Sequence, residues 1–488
     1  MSLENVPAER RGGRANKDHT VNLKNRLNNN RLTREISLFS ATVLVIANMV
    51  GTGIFTTSGF IMEELGDPQI MLLCWLVGGI FALTGALCYG ELGALFPEAG
   101  GEYVFLRESF GKGVAFLSGW ISLIVGFSAP IAAAAIAFGT YFFRMFPVTG
   151  NADYTASLLD AGILTISPVT ILAVTAILIF SLVHYHSLSF GTKVQNGLTL
   201  FKVGLILVFI IGGFLFGDGS SGHFAGDLNM GSLIDGKFAV SLIFVLFAYS
   251  GWNAAAYLGG EIKEPAKNLP LALLTGTLIV MGLYMFLNAV FIYALSPEKM
   301  SGVLEVGTHS AISLFGQGVS KYFSGAIALG LLSVLSAMIM AGPRVYYAMA
   351  KDGVFFELFK KVNKLHKTPA RAIFLQAFIA ICMVITTSFD ELLIYIGFTL
   401  SVCAVFTVVG MMKLRVTRFQ SRDSRQYSTP GYPVTPLLFI LGNLWIIYFS
   451  IRSRPTASLS GLLTISVGLL LFFYFNTKRR KNGRETSF

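Results

Sequence analysis

The fold is decided by two apolar stretches, VLVIANMVGTGIF at residues 43–55 and FVLFAYSGW at residues 244–252. Each lies within a longer apolar segment and carries small residues near mid-membrane depth, Gly51-Thr52-Gly53 in one and Ser250-Gly251 in the other. Apolar segments interrupted at corresponding positions are typical of discontinuous membrane helices. The alternative is that these glycines serve only close packing between helices.

The composition indicates that the chain lies in a membrane. Of its 488 residues, 54% are hydrophobic and only 13% are charged, about half the charged share of a soluble protein. No segment alternates with period two, as the strands of an outer-membrane barrel do. We therefore expect an all-α integral membrane protein.

Twelve apolar segments are long enough, or nearly so, to span a bilayer, which takes about 20 helical residues. We number them spans 1 to 12 in chain order. They lie at about residues 38–62, 70–93, 114–143, 167–187, 194–216, 238–260, 270–294, 323–350, 371–387, 391–413, 434–451 and 457–475.

The distribution of basic residues predicts the orientation. With the N-terminus in the cytoplasm, 30 of the 37 Lys and Arg residues fall on the cytoplasmic side and six on the other, leaving Lys202 inside a span. Acidic residues divide evenly, so the bias is one of positive charge alone. The sequence predicts a multi-pass protein of the cell (inner or plasma) membrane with both termini cytoplasmic. Its basic tails suit a lipid surface rather than nucleic acid.

Spans 1 and 6 run in opposite directions in this topology and carry the same interruption, which indicates a 5+5 inverted repeat. The expected domains are a cytoplasmic basic tail at 1–37, a first repeat at 38–216 (spans 1–5), an external loop at 217–237, a second repeat at 238–413 (spans 6–10), a cytoplasmic loop at 414–433, spans 11 and 12 at 434–475, and a cytoplasmic basic tail at 476–488.

Two broken helices would together form a binding site suited to a zwitterion. Backbone groups left unpaired in lipid cost several kcal/mol each unless they line a cavity or meet a ligand. The half-helix that begins near Thr52-Gly53-Ile54 presents N–H groups and a positive dipole end, which suit a carboxylate. The half-helix that ends near Phe247-Ala248-Tyr249 presents carbonyl groups, which suit an ammonium group. An amino acid carries both charges.

At these residues the sequence resembles the amino acid–polyamine–organocation superfamily, in particular its L-type amino acid transporter branch. Four segments carry the resemblance: Gly51-Thr52-Gly53-Ile54-Phe55, Cys88-Tyr89-Gly90-Glu91-Leu92-Gly93, Phe247-Ala248-Tyr249-Ser250-Gly251-Trp252-Asn253 and Pro265-Ala266-Lys267-Asn268-Leu269-Pro270. The family usually has alanine at the position of Gly90. The resemblance implies a LeuT-type fold of twelve transmembrane helices, with spans 1 and 6 broken and two helices outside the repeat.

The resemblance also implies roles for individual residues. Thr52 and Gly53 hold the substrate carboxylate, and Phe247 and Ala248 offer carbonyls to its amino group. The Phe247 ring closes over the substrate as an outer gate. The expected substrate-binding residues are Met49, Thr52, Gly53, Ile54, Ser128, Phe247, Ala248 and Ser250. Leu400 stands where some members have a polar Asn, which suggests a less polar pocket wall.

Lys202 is the one basic residue inside a span. A lysine at the bilayer centre costs about 2.5–3.5 kcal/mol on insertion scales, so the residues alone leave a snorkelling or structural role open beside a functional one. The resemblance implies that Lys202 replaces the sodium ion of sodium-coupled relatives and donates hydrogen bonds to carbonyls at the break in span 1.

Glu91 and Glu261 lie at the inner ends of spans. Each could pair with a basic residue such as Arg344 and close the cytoplasmic side as a gate, or form a purely structural pair. His184 and His186 flank a short inner loop, where we expect surface histidines. Span 3 carries no carboxylate, which argues against arginine or lysine as the preferred cargo.

We therefore expect a sodium-independent secondary transporter of neutral L-amino acids that works by alternating access, through exchange or facilitated transport. Proton-coupled symport and transport of a polyamine or cationic amino acid are the alternatives. An enzyme is not expected, because the spans hold no nucleophile–base pair or metal-ligand cluster, and no GxxxxGK[ST] loop for ATP occurs. No cofactor or metal is expected. No covalently linked partner subunit is expected either, since no cysteine lies in an outer loop.

Overall fold

The computed structural model describes residues 32–146, 158–160, 165–226, 236–303, 305–363, 365–386, 389–418, 426–453 and 455–485. Most of the expected tail at 1–37 and parts of the expected loops at 217–237 and 414–433 lie outside the described residues. Regular structure in the described part is helical, apart from one antiparallel pair of two-residue strands, Leu159–Asp160 (β1) and Thr165–Ile166 (β2), and two isolated bridges.

The α-helices follow one another along the described chain with short connections. They are α1 (Leu38–Met49), α2 (Gly53–Leu65), α3 (Pro68–Leu95), α4 (Glu102–Phe110), α5 (Lys112–Ile121), α6 (Ala129–Phe143), α7 (Pro168–His186), α8 (Leu188–Phe216), α9 (Gly236–Tyr249), α10 (Ala254–Tyr257), α11 (Pro265–Ala294), α12 (Pro297–Met300), α13 (Val306–Phe315), α14 (Ser320–Ala341), α15 (Pro343–Lys351), α16 (Ala370–Thr386), α17 (Phe389–Thr417), α18 (Val434–Ser453) and α19 (Pro455–Glu485).

Seven helical segments of the described chain are long and apolar enough to cross a membrane, and the bent pair α1–α2 is an eighth. The seven are α3, α5–α6, α7, α8, α11, α14–α15 and the later part of α17. Shorter apolar helices occur in α9, α16, α18 and α19. The structure therefore confirms the predicted all-α membrane class, with seven or eight segments of spanning length.

Both helical interruptions lie where the sequence predicts them. Helix α1 ends at Met49 and α2 begins at Gly53, with the two axes bent by 44°. Helix α9 ends at Tyr249 and α10 begins at Ala254. Between them Gly251 has a φ of 93°, a conformation that glycine adopts without the steric penalty of a Cβ.

The two interruptions lie against each other in the core. A Cβ on Gly53 would stand 2.8 Å from the Cα of Ala248, and a Cβ on Gly251 would overlap the side-chain amide of Asn48. Since real Cβ atoms do not approach that closely, only glycine allows either contact. The breaks in spans 1 and 6 thus meet through backbone-to-backbone contact.

Candidate functional site

A cavity of about 160 Å³ lies at the meeting point of the two breaks. That is about ten times the volume of ~15 Å³ that one water molecule needs, so the cavity can hold a solute of about ten heavy atoms. Six of the eight expected substrate-binding residues line it: Met49, Thr52, Gly53, Phe247, Ala248 and Ser250. Leu400 also contributes to the wall.

The other two expected residues, Ile54 and Ser128, do not line the cavity. Both are fully buried, and the Ser128 hydroxyl has no hydrogen-bond partner among the described residues. Phe127 lines the cavity instead. The chain from Ser122 to Ser128 forms a π-helix, and the wider turn of a π-helix rotates side chains away from the positions that an α-helix would give them.

The start of α2 presents backbone donors to the cavity. Thr52 precedes the helix and its side chain makes no capping hydrogen bond. The first N–H groups of a helix have no acceptor within that helix, and Thr52 and Gly53 both line the cavity. The positive end of the α2 dipole therefore adjoins the space where a carboxylate would bind.

Tyr284 of α11, which the sequence did not predict as a site residue, hydrogen-bonds to both breaks. Its hydroxyl lies 2.7 Å from the carbonyl oxygen of Met49 and 3.0 Å from that of Ala248. A hydroxyl has one proton to donate, and a carbonyl oxygen has two lone pairs. The Ala248 carbonyl can therefore accept from a ligand as well as from Tyr284.

Lys202 is 3% exposed and lies behind the break in span 1. Its ammonium group donates to the carbonyl of Ala47 at 3.1 Å and to the carbonyl of Val50. Ala47 lies in the last turn of α1 and Val50 directly follows that helix. Carbonyls at a helix end have no N–H group of a further turn to accept from. The lysine thus neutralises the negative end of α1 and supplies the donors that the broken helix lacks.

Glu261 and Arg344, which do not line the cavity, form a buried bidentate ion pair. The Nε–Oε2 distance is 2.7 Å and the Nη2–Oε1 distance is 2.8 Å, with side chains 1% exposed or less. The pair connects the chain after α10 to α15. It therefore ties these two parts of the chain together by a buried ion pair.

Glu91 of α3 pairs with a different arginine, Arg415 of α17. The Arg415 Nε donates to Glu91 at 2.6 Å, and the backbone and hydroxyl of Thr429 donate to the same carboxylate at 2.7 and 2.8 Å. The guanidinium of Arg415 also lies 3.9 Å from the centre of the Tyr432 ring. Both expected gate carboxylates are thus fully compensated by buried arginines.

Glu102 is a lining residue that the sequence analysis did not identify. It is the first residue of α4, a helix too short and polar to be a span, and it is only 4% exposed. Tyr89 donates to its Oε1 at 2.6 Å and Asn253 at 2.9 Å. The sequence gives only a weak indication of this position, because Glu102 merely follows two glycines and lies outside every apolar segment.

The described residues hold no cluster of three or more His, Cys, Asp or Glu side chains that could bind a metal ion. The polar groups around the cavity are backbone N–H and carbonyl groups, hydroxyls, amides and one carboxylate. Such a set suits reversible binding of a small zwitterion.

Comparison with known proteins identifies the family of this chain. The family model of the amino acid permeases matches residues 36–474. The chain is 31% identical over 462 residues to the serine/threonine exchanger SteT of Bacillus subtilis, covering 93% of this chain and 98% of the relative.

Two mammalian relatives are also similar. One is the mouse b(0,+)-type amino acid transporter 1, 27% identical over 97% of this chain and 93% of the relative. The other is the mouse large neutral amino acids transporter small subunit 2, 26% identical over 91% of this chain and 81% of the relative. These relatives are transporters and not enzymes. The chain belongs to the amino acid permease family and is a multi-pass membrane transporter of amino acids.

Proposed function

We propose that this protein is a sodium-independent exchanger of neutral L-amino acids that works by alternating access. The observation that carries the proposal is the position of the Lys202 ammonium, which donates to the carbonyls of Ala47 and Val50 at the break in span 1. An ammonium group bound there takes the place that a sodium ion would occupy against these carbonyls. One relative is named as a serine/threonine exchanger, and this supports exchange as the mode of transport.

The substrate backbone lies between the two half-helices in this proposal. Thr52 and Gly53 bind its carboxylate, while the Phe247 and Ala248 carbonyls accept from its amino group. Met49 and Ser250 contribute the neighbouring wall, and the Phe247 ring is the outer gate. Ile54 and Ser128 then act by packing behind this wall, since both are fully buried.

The preference for neutral cargo rests on the cavity wall. Phe127, Leu400 and Ala404 give it an apolar side. The one lining carboxylate, Glu102, is almost wholly buried and already accepts two hydrogen bonds. The wall therefore suits small or apolar side chains better than a guanidinium or ammonium group.

An inverted repeat of residues 38–216 and 238–413 supports alternating access, and reciprocal packing supports the repeat. Helix α1 of span 1 packs on α11 of span 7, and α9 of span 6 packs on α3 of span 2. Likewise α6 of span 3 packs on α17 of span 10, while α14 of span 8 packs on α8 of span 5. Two-fold symmetry requires such matched pairs, because exchanging the repeats must reproduce the contacts.

Twelve spans, with spans 11 and 12 outside the repeat, complete the proposed topology. The four shorter apolar helices, added to the eight segments of spanning length, supply that number. The domains then keep the boundaries expected from the sequence. The protein lies in the plasma or inner membrane in this proposal. Both of its termini are cytoplasmic, as the basic residues predict.

A covalently linked partner subunit is not part of this proposal. The chain has four cysteines, which are free thiols within the helices α3, α16 and α17. None lies in a connecting loop where a disulfide to a second chain would form.

Reconstituted protein in proteoliposomes tests the function. Vesicles loaded with unlabelled serine, threonine or leucine should take up the same labelled amino acid rapidly, and empty vesicles should not. Replacing external sodium with potassium should leave the rate unchanged. A sodium requirement would refute the assigned role of Lys202, and uptake that strictly needs an imposed pH gradient would replace exchange with proton symport.

A further inference from the structure

Three carboxylates of the described chain, Glu91, Glu102 and Glu261, are deeply buried, and they differ in their partners. Glu91 pairs with Arg415 and Glu261 pairs with Arg344. Glu102 forms no ion pair with any described residue, although it is as deeply enclosed as the others. A buried carboxylate without a cation is costly in its charged form, so this third position is unlike the two gates.

Within the described part of the chain, the surroundings of Glu102 contain donors but no available positive charge. Tyr89, Tyr257 and Cys403 are the titratable groups that face it, from α3, α10 and α17. Most cations on α4 and on the elements packed against it bind elsewhere: Arg107 and Lys112 to Asp352, Lys413 to the carbonyl of Ser109, Arg344 to Glu261, and Arg415 to Glu91. Lys351, at the end of α15, is exposed.

The carboxyl group also adjoins the substrate cavity. Both hydrogen bonds to Glu102 are accepted by Oε1, and the residue lines the cavity that Thr52, Phe247 and Ser250 share. Glu91 and Glu261 are absent from that lining. Of the three carboxylates, Glu102 is thus the one that can exchange a proton with water entering the cavity.

We propose that Glu102 is a proton-binding site at the floor of the substrate cavity, occupied while this end of the protein is closed and emptied when it opens. The proposal rests on the proposed alternating access. Opening separates α4 from α10 and hydrates the carboxyl group, which then gives its proton to water. The low exposure of Glu102, 4%, suits a proton better than the side chain of a cationic substrate.

The direction of the pH effect follows from linkage. Burial raises the pKa of the Glu102 carboxyl to about 7, against the opposing effect of hydrogen bonds from Tyr89 and Asn253. In the open state we take the ordinary value near 4.5. Below both values the two states bind the proton equally. Between these two pKa values the open state has lost its proton while the closed state still holds it. Raising the pH from 6 to 8 therefore lowers the ratio of closed to open protein by about tenfold.

Infrared spectroscopy of the intact protein tests the site directly. A neutral carboxyl group has a carbonyl stretch that an ionised one lacks. We expect such a band to disappear with a midpoint near pH 7 in the wild type and in Glu98→Gln, a control in which the altered carboxylate is 48% exposed. Glu102→Gln should lack the titrating band. Its persistence in Glu102→Gln, or its absence from the wild type, overturns the proposal.

The pH profile of exchange gives the second readout. Exchange of a labelled neutral amino acid should vary with pH in the wild type and become flat between pH 6 and 8 in Glu102→Gln, while Glu102→Asp should keep a dependence. If Glu102→Gln keeps the wild-type profile, or loses only the transport of cationic amino acids, the proton site is wrong. Failure of exchange in every variant refutes the proposed function alone, because the infrared band does not depend on transport.

Discussion

At the scale of single residues, the break in span 1 depends on one ammonium group. Without Lys202, the carbonyls of Ala47 and Val50 would be buried with no donor, at about 1–3 kcal/mol for each unsatisfied group. The lysine also needs these carbonyls, because an unpaired cation inside a bilayer is unfavourable. Each partner therefore stabilises the other.

Replacing Lys202 tests this dependence. We expect Lys202→Ala to lower the exchange rate by at least about tenfold, since two unsatisfied carbonyls distort the break that binds substrate. Lys193→Ala is the matched control, because Lys193 is an exposed residue of the same helix. Uptake into proteoliposomes and size-exclusion profiles would be measured together. Wild-type exchange by Lys202→Ala would show that the lysine is only structural.

Gly53 limits the same site from the other side. A Cβ at Gly53 would stand 2.8 Å from the Cα of Ala248 and 3.3 Å from the Phe247 ring, so Gly53→Val should push the two breaks apart and abolish substrate binding. Gly204→Val on α8 is the control, because a Cβ there has no neighbour within 4 Å. Substrate-induced thermal stabilisation reports binding. An undiminished shift in Gly53→Val would contradict the close contact of the breaks.

The sequence predicts some of these residues and misses others for physical reasons. Lys202 and the two breaks could be predicted because lipid makes an intramembrane charge or an unpaired backbone group conspicuous. Tyr284, Asn48 and Glu102 could not, because their importance comes from contacts with residues more than 100 positions away. The expected surface position of His184 was wrong: it is 3% exposed and its ring nitrogen lies 2.8 Å from the Ser336 hydroxyl.

At the scale of helices, the end that we propose to be closed is tied together by elements that are not neighbours in sequence. The chain after α10 is tied to α15 by Glu261 and Arg344, and α3 is tied to α17 by Glu91 and Arg415. The segment before α1 adds a backbone link, since Ile36 and Ile262 form a bridge through the Glu261 carbonyl. Opening this end must therefore break ion pairs and backbone hydrogen bonds together.

Glu261→Gln is expected to shift the protein toward the state that is open at this end. Removing one partner of a buried pair costs about 3–5 kcal/mol because the other charge stays buried. The native thiol of Cys403, 6% exposed, should then react faster with a water-soluble maleimide, as measured by mass spectrometry of its peptide. Glu357→Gln is the control, since the Glu357–Lys360 pair is on the surface and such pairs contribute about 0–1 kcal/mol.

A double variant separates opening from loss of the fold. Arg344→Gln combined with Glu261→Gln leaves no unpaired charge, so Cys403 should react more slowly than in Glu261→Gln alone. Equally fast reactivity in the two variants would show that the unpaired Arg344 is not what opens this end. Slow reactivity in Glu261→Gln would show that the pair does not hold it closed.

At the scale of the whole molecule, helix packing and loop charge bear on different properties. Packing bears on the architecture, and loop charge bears on the orientation in the membrane. Matched helix packing, such as α1 on α11 and α9 on α3, supports the proposed repeat and is the same for either orientation in the membrane. The basic residues alone predict which end faces the cytoplasm. The location of the closed end, and with it the side on which Glu102 would release a proton, therefore depends on an independent determination of topology.

Reporter fusions determine that topology. Alkaline phosphatase needs an oxidising compartment to form its disulfides, so it should be active when fused after residue 217, which follows five spans, and inactive when fused after residue 418, which follows ten. A fluorescent protein after residue 488 should be bright, because the C-terminus is expected in the cytoplasm. The reverse pattern would place the Glu261–Arg344 pair on the outer side. The proton of Glu102 would then leave to the exterior, even though every contact within the protein is unchanged.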